Sequence, residues 1–221
     1  IAPSLVGSEM CIRDRSVNAI KKIVLSGRKI LFVATKKQAK DIVAEKADSV
    51  NMPYITERWP GGMLTNFVTI RKAVKKMNAI DRMKADGTFE TLSKKEKLQV
   101  DRQRAKLEKN LGSISDMTRL PGAIFVVDTL NEKISVQEAQ KLNIPIFAMV
   151  DTNSDPNEVD FIIPSNDDAS KSIEKILDIV CSAIKESLEE RKKEKEIDEQ
   201  KKLEEAEAIS NADDTDASEE E

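Results

Sequence analysis

Three short, unbroken apolar runs constrain this chain more than any other feature: Lys29 to Ala34 (KILFVA), Ala123 to Asp128 (AIFVVD) and Ile144 to Asp151 (IPIFAMVD). A strand with one wet face alternates apolar and polar residues. A run without alternation fits a strand covered on both faces, as in a parallel sheet between helical layers. Helical patterns flank the runs. Val17, Ile20, Ile23 and Val24 share one stripe, with Gly27 as a stop signal. Thr35 and Gln38 fit a capping box for a helix whose inward face is Ala39, Ile42, Val43, Ala47 and Val50. Ser135 and Glu138 are expected to cap a short helix carrying Val136, Ala139 and Leu142. Asp167 or Asp168 is expected to N-cap a long one with Ile173, Ile176, Leu177, Val180, Ile184 and Leu188 inward. Met52–Tyr54 and Phe161–Pro164 read as short strands. The sum is an α/β chain with a doubly wound parallel sheet.

The alternation is interrupted once. Phe67, Ile70, Val74, Met77 and Ile80 recur at helical spacing, Asp86-Gly87-Thr88 reads as a turn, and Ser93 with Glu96 makes another capping box. The return helix carries Val100, Leu107, Leu111, Ile114 and Met117 on one face. Two narrow stripes with a short connection predict an antiparallel helical hairpin. The stripes suit a projecting two-stranded coiled coil; lying flat on the sheet is the other arrangement they allow. The expected organisation is therefore an α/β domain of residues 16–62 and 120–191, with an inserted helical hairpin over 63–119. Residues 192–221, rich in Lys, Glu and Asp, should form a disordered acidic tail or a frayed helix. Residues 1–15 show little periodicity and include a string similar to translated sequencing-adapter sequence. They are read as an artefactual or foreign segment, in place of a different and longer natural N-terminus, and are kept out of the fold reasoning.

Charge divides along the same boundaries. The formal net charge is −4, but the segment from Glu186 onward holds 16 acids and 6 bases, leaving +6 for the first 185 residues. Met63 to Leu120 alone carries 14 Lys/Arg against 7 Asp/Glu. An excess of bases on a helical arm suits a large polyanion better than a small substrate. The chain has no histidine, and the turn at 34–38 (ATKKQ) has no glycine to let a backbone approach a phosphate. No Ser or Cys is placed beside a base. Acid–base and nucleophilic catalysis are therefore not expected, nor is a cofactor. Cys181 lies on an apolar stripe and reads as a reduced core residue, which favours a reducing compartment. No apolar run reaches the length needed to span a bilayer.

Two candidate sites remain. Thr35, Asp128 and Asp151 end strands, and Asp155 follows in a polar loop. At the carboxyl ends of a parallel sheet these could form a cation or phosphoryl-accepting site, or simply serve as strand-end and cap residues. A signalling-type or nucleotide-binding domain that uses Asp128 and Asp151 is the corresponding alternative function, and a protein–protein scaffold is a third. The second site is basic. Lys75 and Lys76 are adjacent; Arg102, Arg104, Lys106 and Lys109 follow one another on the return helix. Such residues neutralise phosphates with little sequence preference. Arg58 beside Trp59 offers a planar donor and a stacking face, although Trp59 can equally be a plug at the hairpin's root.

The string Met52 to Phe67 (MPYITERWPGGMLTNF) holds the only Trp and the only Tyr. Together with GRKILFVATKKQAKDIV (27–43), LEKNLGSI (107–114), FAMVDTNSDPN (147–157) and NDDASKSI (166–173), it resembles the S-two family of bacterial small-subunit ribosomal proteins over residues 16–191. The resemblance implies a flavodoxin-like fold with an inserted coiled-coil hairpin and no enzymatic activity. It also implies binding to small-subunit ribosomal RNA near the head–body junction and a part in holding ribosomal protein S-one. The expected partners are that RNA and neighbouring ribosomal proteins in the cytoplasm, not a membrane or a second copy of the chain. Carried onto this sequence, the RNA-facing residues are Arg58, Trp59, Lys72, Lys75, Lys76, Arg102, Arg104, Lys106 and Lys109; no metal ligand is carried over. The family's N-terminal segment, with its His-Phe-Gly-His-type motif and aromatic loop, is not matched, so any contact or metal site it supplies is not implied here.

Overall fold

The three apolar runs form β1 (Ile30–Val33), β3 (Ala123–Val127) and β4 (Ile146–Val150), every residue of which is buried. The computed structural model describes the backbone from Pro3 to Asp216 and the side chains of residues 14–194 and 196. With β2 (Tyr54–Ile55) and β5 (Phe161–Pro164), the strands make a five-stranded sheet in the order β2-β1-β3-β4-β5, with every pair parallel. This is the flavodoxin-like order of doubly wound sheets. Register is continuous across the centre: Phe32 faces Phe125, and Phe125 faces Phe147.

Alternation survives inside the apolar runs, now dividing two cores. Ala123, Phe125 and Val127 point to one, Ile124 and Val126 to the other. The first core is closed by α1 (Pro3–Leu25), α2 (Lys37–Ser49) and α6 (Ser170–Asp216), through Ile20, Val24, Ala39, Val43, Leu177 and Ile184. The second is closed by α5 (Lys133–Lys141), by the loop after β2 and by the root of the hairpin. The chain crosses from β2 to β3 by way of that hairpin, formed by α3 (Phe67–Ala85) and α4 (Lys94–Leu111).

The hairpin is antiparallel: Asp81 pairs with Arg104 and Lys84 with Asp101 across the seam. Its root residues Phe67, Ile70, Val74, Leu107 and Leu111 join the second core, whereas Met77 and Ile80 are buried but belong to neither core. The pair therefore leaves the sheet after its first turns. At the tip, Gly87 adopts φ +74°, and Lys84 and Lys97 lie 5.2 and 5.7 Å from the Phe89 ring centroid.

Caps were the least legible feature. Ser93 and Glu96 do form a reciprocal capping box on α4. The other three expected caps differ. The N-cap of α2 is Lys36, with no side-chain bond, and the Thr35 N–H instead donates to Glu132 at 2.9 Å. Ser135 donates to the Glu132 carbonyl inside α5, and Glu138 reaches a different loop. Before α6, the Asn166 side chain accepts the N–H groups of Asp168 and Ala169, while Asp167 turns to Lys36. In each case another partner takes the group that local spacing assigns to a cap: the Glu132 carboxylate for the Thr35 N–H, the Glu132 carbonyl for Ser135, the loop N–H groups for Glu138 and the Lys36 ammonium for Asp167. The helix α6 runs past position 192, where a disordered tail or a frayed helix was the expectation, as far as Asp216. Strong helix formers and i,i+4 charge spacings such as Glu189/Lys193 and Lys192/Glu196 favour that continuation.

Candidate nucleic-acid interface

One buried carboxylate shapes the loop between β2 and the hairpin. Glu138 is 7 % exposed on the inward face of α5. Its Oε1 accepts from Trp59 Nε1 at 3.0 Å and Gly62 N at 2.8 Å. Its Oε2 accepts from Leu64 N at 2.9 Å, Thr65 N at 3.1 Å and Thr65 Oγ1 at 3.2 Å. The backbone presents three N–H groups to one point because it reverses at Gly62, whose φ of +83° lies in the left-handed region that glycine enters without strain. Burial by itself would push the Glu138 carboxyl up. The Trp59 indole and the N–H groups of Thr65, Gly62 and Leu64 outweigh it and hold the carboxyl below its ordinary value. The loop is thus fixed against α5 in its anionic form.

This geometry decides what Trp59 does here. The residue is 7 % exposed and packs in the second core with Met63, Leu64 and Leu111. Its ring is a plug at the hairpin's root, and its N–H is committed to Glu138, so no open stacking face is presented. Arg58 next to it is exposed.

The cations singled out from the sequence fall into two groups. Arg104 pairs with Asp81 across the seam and with Glu108 at 2.7 Å along α4. Lys109 pairs with Glu57 at 3.2 Å, and Glu57 also takes Lys40 at 3.0 Å. The hydrogen bonds from Lys40 and Lys109 lower the Glu57 carboxyl below its ordinary value. By contrast, Arg58, Lys72, Lys75, Lys76, Arg102 and Lys106 are exposed and form no ion pair among the described residues. At 100° per residue, Lys72, Lys75 and Lys76 lie on the flank of α3 away from Met77, and Arg102 and Lys106 on the flank of α4 away from Leu107. Exposed cations without ion pairs on the flanks of two helices leave their charge available to a polyanion.

The carboxyl ends of the strands hold a different arrangement. Asp128, at φ +69°, uses its own side chain to accept Leu130 N, Asn131 N and Asn131 Nδ2. Asp151 accepts Thr152 N at 2.7 Å and Asp155 accepts Asn157 N at 2.9 Å. These are loop-shaping bonds. Lys36 occupies the centre, with Nζ 2.6 Å from Asp168, 2.9 Å from Asp167 and 3.5 Å from Asp128. Burial opposes its charge, but the bonds to Asp168 and Asp167 overcome that and raise the ammonium above its ordinary value. Asp151, Asp167 and Asp168 each bring a carboxylate oxygen within 4.8 Å of the others, a geometry that could hold a cation. Lys36 already supplies a positive charge to two of the three. Beside them Glu132, bonded to Thr35 N, is raised above its ordinary value, chiefly by burial.

Sequence reasoning missed Glu138 and Lys36 as organising charges, and two signals were present. Glu138 falls on the inward stripe of α5 with Ser135 and Ala139, an unusual place for an acid unless donors await it. Lys36 ends a strand-to-helix turn that faces the Asp-rich loops. No helix among the described residues is long and apolar enough to cross a membrane.

Comparison with known proteins gives a consistent set of matches. The family model described as Ribosomal protein S2 matches residues 9–187. A small ribosomal subunit protein uS2 from Flavobacterium johnsoniae is 74% identical over 185 residues, covering 84% of this chain and 73% of the relative. The uS2 protein of Christiangramia forsetii is 76% identical over 177 residues, covering 80% of this chain and 59% of the relative. That of Bacteroides fragilis is 66% identical over 182 residues, covering 82% and 66%.

Proposed function

This chain belongs to the ribosomal protein S2 family, whose members are structural proteins and not enzymes, and from that membership we propose that it is a structural constituent of the small ribosomal subunit that binds ribosomal RNA. The single observation that carries the RNA contact is a set of exposed cations that form no ion pair among the described residues: Arg58, Lys72, Lys75, Lys76, Arg102 and Lys106. The sheet provides a rigid base, Glu138 fixes the loop, and the hairpin carries charge outward to folded RNA. Recognition is of phosphate position and shape, with little dependence on base sequence. Arg104 and Lys109 act within this reading as seam and root residues whose charge is already shared with acids, and Trp59 as the plug that seats the loop. The contact lies near the head–body junction of the subunit, in the cytoplasm, and the protein helps to hold ribosomal protein S-one there.

The test uses the full chain and small subunits depleted of their own copy of this protein. Co-sedimentation at two salt concentrations should give stoichiometric binding that weakens as salt rises. A folded chain that fails to bind at low salt would overturn the reading. Mapping the bound protein by cross-linking tests the location: cross-links confined to a region remote from the head–body junction would overturn that part alone.

A further inference from the structure

We propose that the crevice between the loop and the hairpin's root receives a single unstacked nucleotide of RNA. The inference rests on the RNA-binding reading and goes further, naming a base-holding site within it. The crevice encloses about 180 Å³, and its floor is apolar: Pro60 from the loop, Ile70 from α3, Leu107 and Leu111 from α4. Arg58 and Lys106 stand on its lining, both exposed and without an ion pair among the described residues. Asn110, half-buried at the same place, has no side-chain hydrogen bond among the described residues.

These three kinds of group match the three parts of a nucleotide. An aliphatic floor accommodates the face of a base by burying apolar surface, whatever the base's identity. A free carboxamide offers both a donor and an acceptor to a base edge. Two unpaired cations suit the flanking phosphates, and a guanidinium does so in bidentate geometry. A hydrophobic peptide segment would use the floor, and its backbone could answer the amide, but it would leave both cations unanswered. Double-stranded RNA would reach the cations but leave the floor empty, since paired bases are not available to it. Of these three, an unpaired nucleotide alone uses the floor, the amide and both cations. The bonds that Glu138 accepts from the N–H groups of Gly62, Leu64 and Thr65 hold the loop side of the crevice in place before RNA arrives.

The experiment measures binding of the full chain to small-subunit ribosomal RNA, together with base and 2′-hydroxyl reactivity of the RNA. Wild-type protein should protect the base edge of one unpaired nucleotide. Ile70→Trp fills the crevice from a half-buried position and should abolish that protection. It should weaken binding about tenfold, as expected for losing the apolar burial of one base face, while leaving the salt dependence unchanged. Lys106→Ala should instead lower the salt slope by about one. Full affinity and intact protection with Ile70→Trp would overturn the proposal while leaving RNA binding standing. A wild-type chain that does not bind RNA would sink the underlying reading as well. Circular dichroism checks the fold of each variant. Should Ile70→Trp not fold, Asn110→Leu removes the amide at similar volume, and retained protection with that variant would equally overturn the proposal.

Discussion

Replacing Glu138 by Gln changes one oxygen to an amide nitrogen and leaves the side chain's shape. The wild-type carboxylate accepts five bonds, two on Oε1 and three on Oε2. Glutamine can satisfy one side only. In its better orientation it keeps Leu64 and Thr65 and turns its own N–H₂ toward Trp59 Nε1 and Gly62 N, leaving those two donors unpaired. An orphaned buried donor costs about 1–3 kcal/mol; with Gly62 only partly buried and open to a water, the pair together should cost about 2–4 kcal/mol. For a domain of this size that lowers Tm by roughly 5–15 °C. The single tryptophan reports locally, so Trp59 fluorescence and far-UV circular dichroism followed through the same melt separate loop release from global unfolding. The pH dependence provides an internal check. The folded Glu138 carboxyl lies below its ordinary value, so its contribution is present above that value, about 4.3, and is lost as pH falls through the folded pKa. The stability difference between wild type and Glu138→Gln should therefore be widest at neutral pH and shrink in acid. A loss of stability below about 0.5 kcal/mol at neutral pH, within the usual range for inconsequential surface changes, would refute the assignment of Glu138 as the loop's anchor.

Three further substitutions probe separate parts of the account. Lys36→Met leaves Asp167, 0 % exposed, and Asp128, 3 % exposed, without their cation, and should cost about 2–4 kcal/mol in urea unfolding at neutral pH. Gly122→Ala would put a Cβ 2.5 Å from Arg28 Cβ and 2.9 Å from Ile23 Cγ2, so denaturant unfolding should show a loss of about 1–3 kcal/mol from overpacking where β3 begins. Arg104→Ala breaks the seam pair with Asp81 and the bond to Glu108; it should lower the melting temperature slightly and leave the salt dependence of RNA binding as in the wild type.

What the sequence reveals here is set by the range of the forces involved. The buried strands were legible because Ile124, Phe125, Val126 and Val127 carry their environment in their own side chains. The hairpin was legible for the same reason, through stripes such as Phe67–Ile70–Val74. The positions of the basic residues were legible, but not which of them are free. That depends on partners far along the chain, as when Lys109 meets Glu57 and Lys36 meets Asp167. Spacing alone assigned Glu138 to a cap; its true donors lie 73 to 79 residues away, on a loop whose shape only the fold creates. The reading of Trp59 failed to separate plug from platform for a related reason, because burial is a property of the assembled root and not of the residue's neighbours in sequence.

The most direct test of the central claim compares salt slopes. Binding of the full chain to small-subunit ribosomal RNA is measured across a salt series for wild type, for a variant with Lys72, Lys75, Lys76, Arg102 and Lys106 changed to Ala, and for Arg104→Ala. If the unpaired cations neutralise phosphates, the slope of log K against log salt should fall by about one for each phosphate that the first variant no longer neutralises, and stay at the wild-type value in the second. A fivefold variant that remains folded and retains the wild-type slope would show that this hairpin charge does not meet RNA, and would contradict the account.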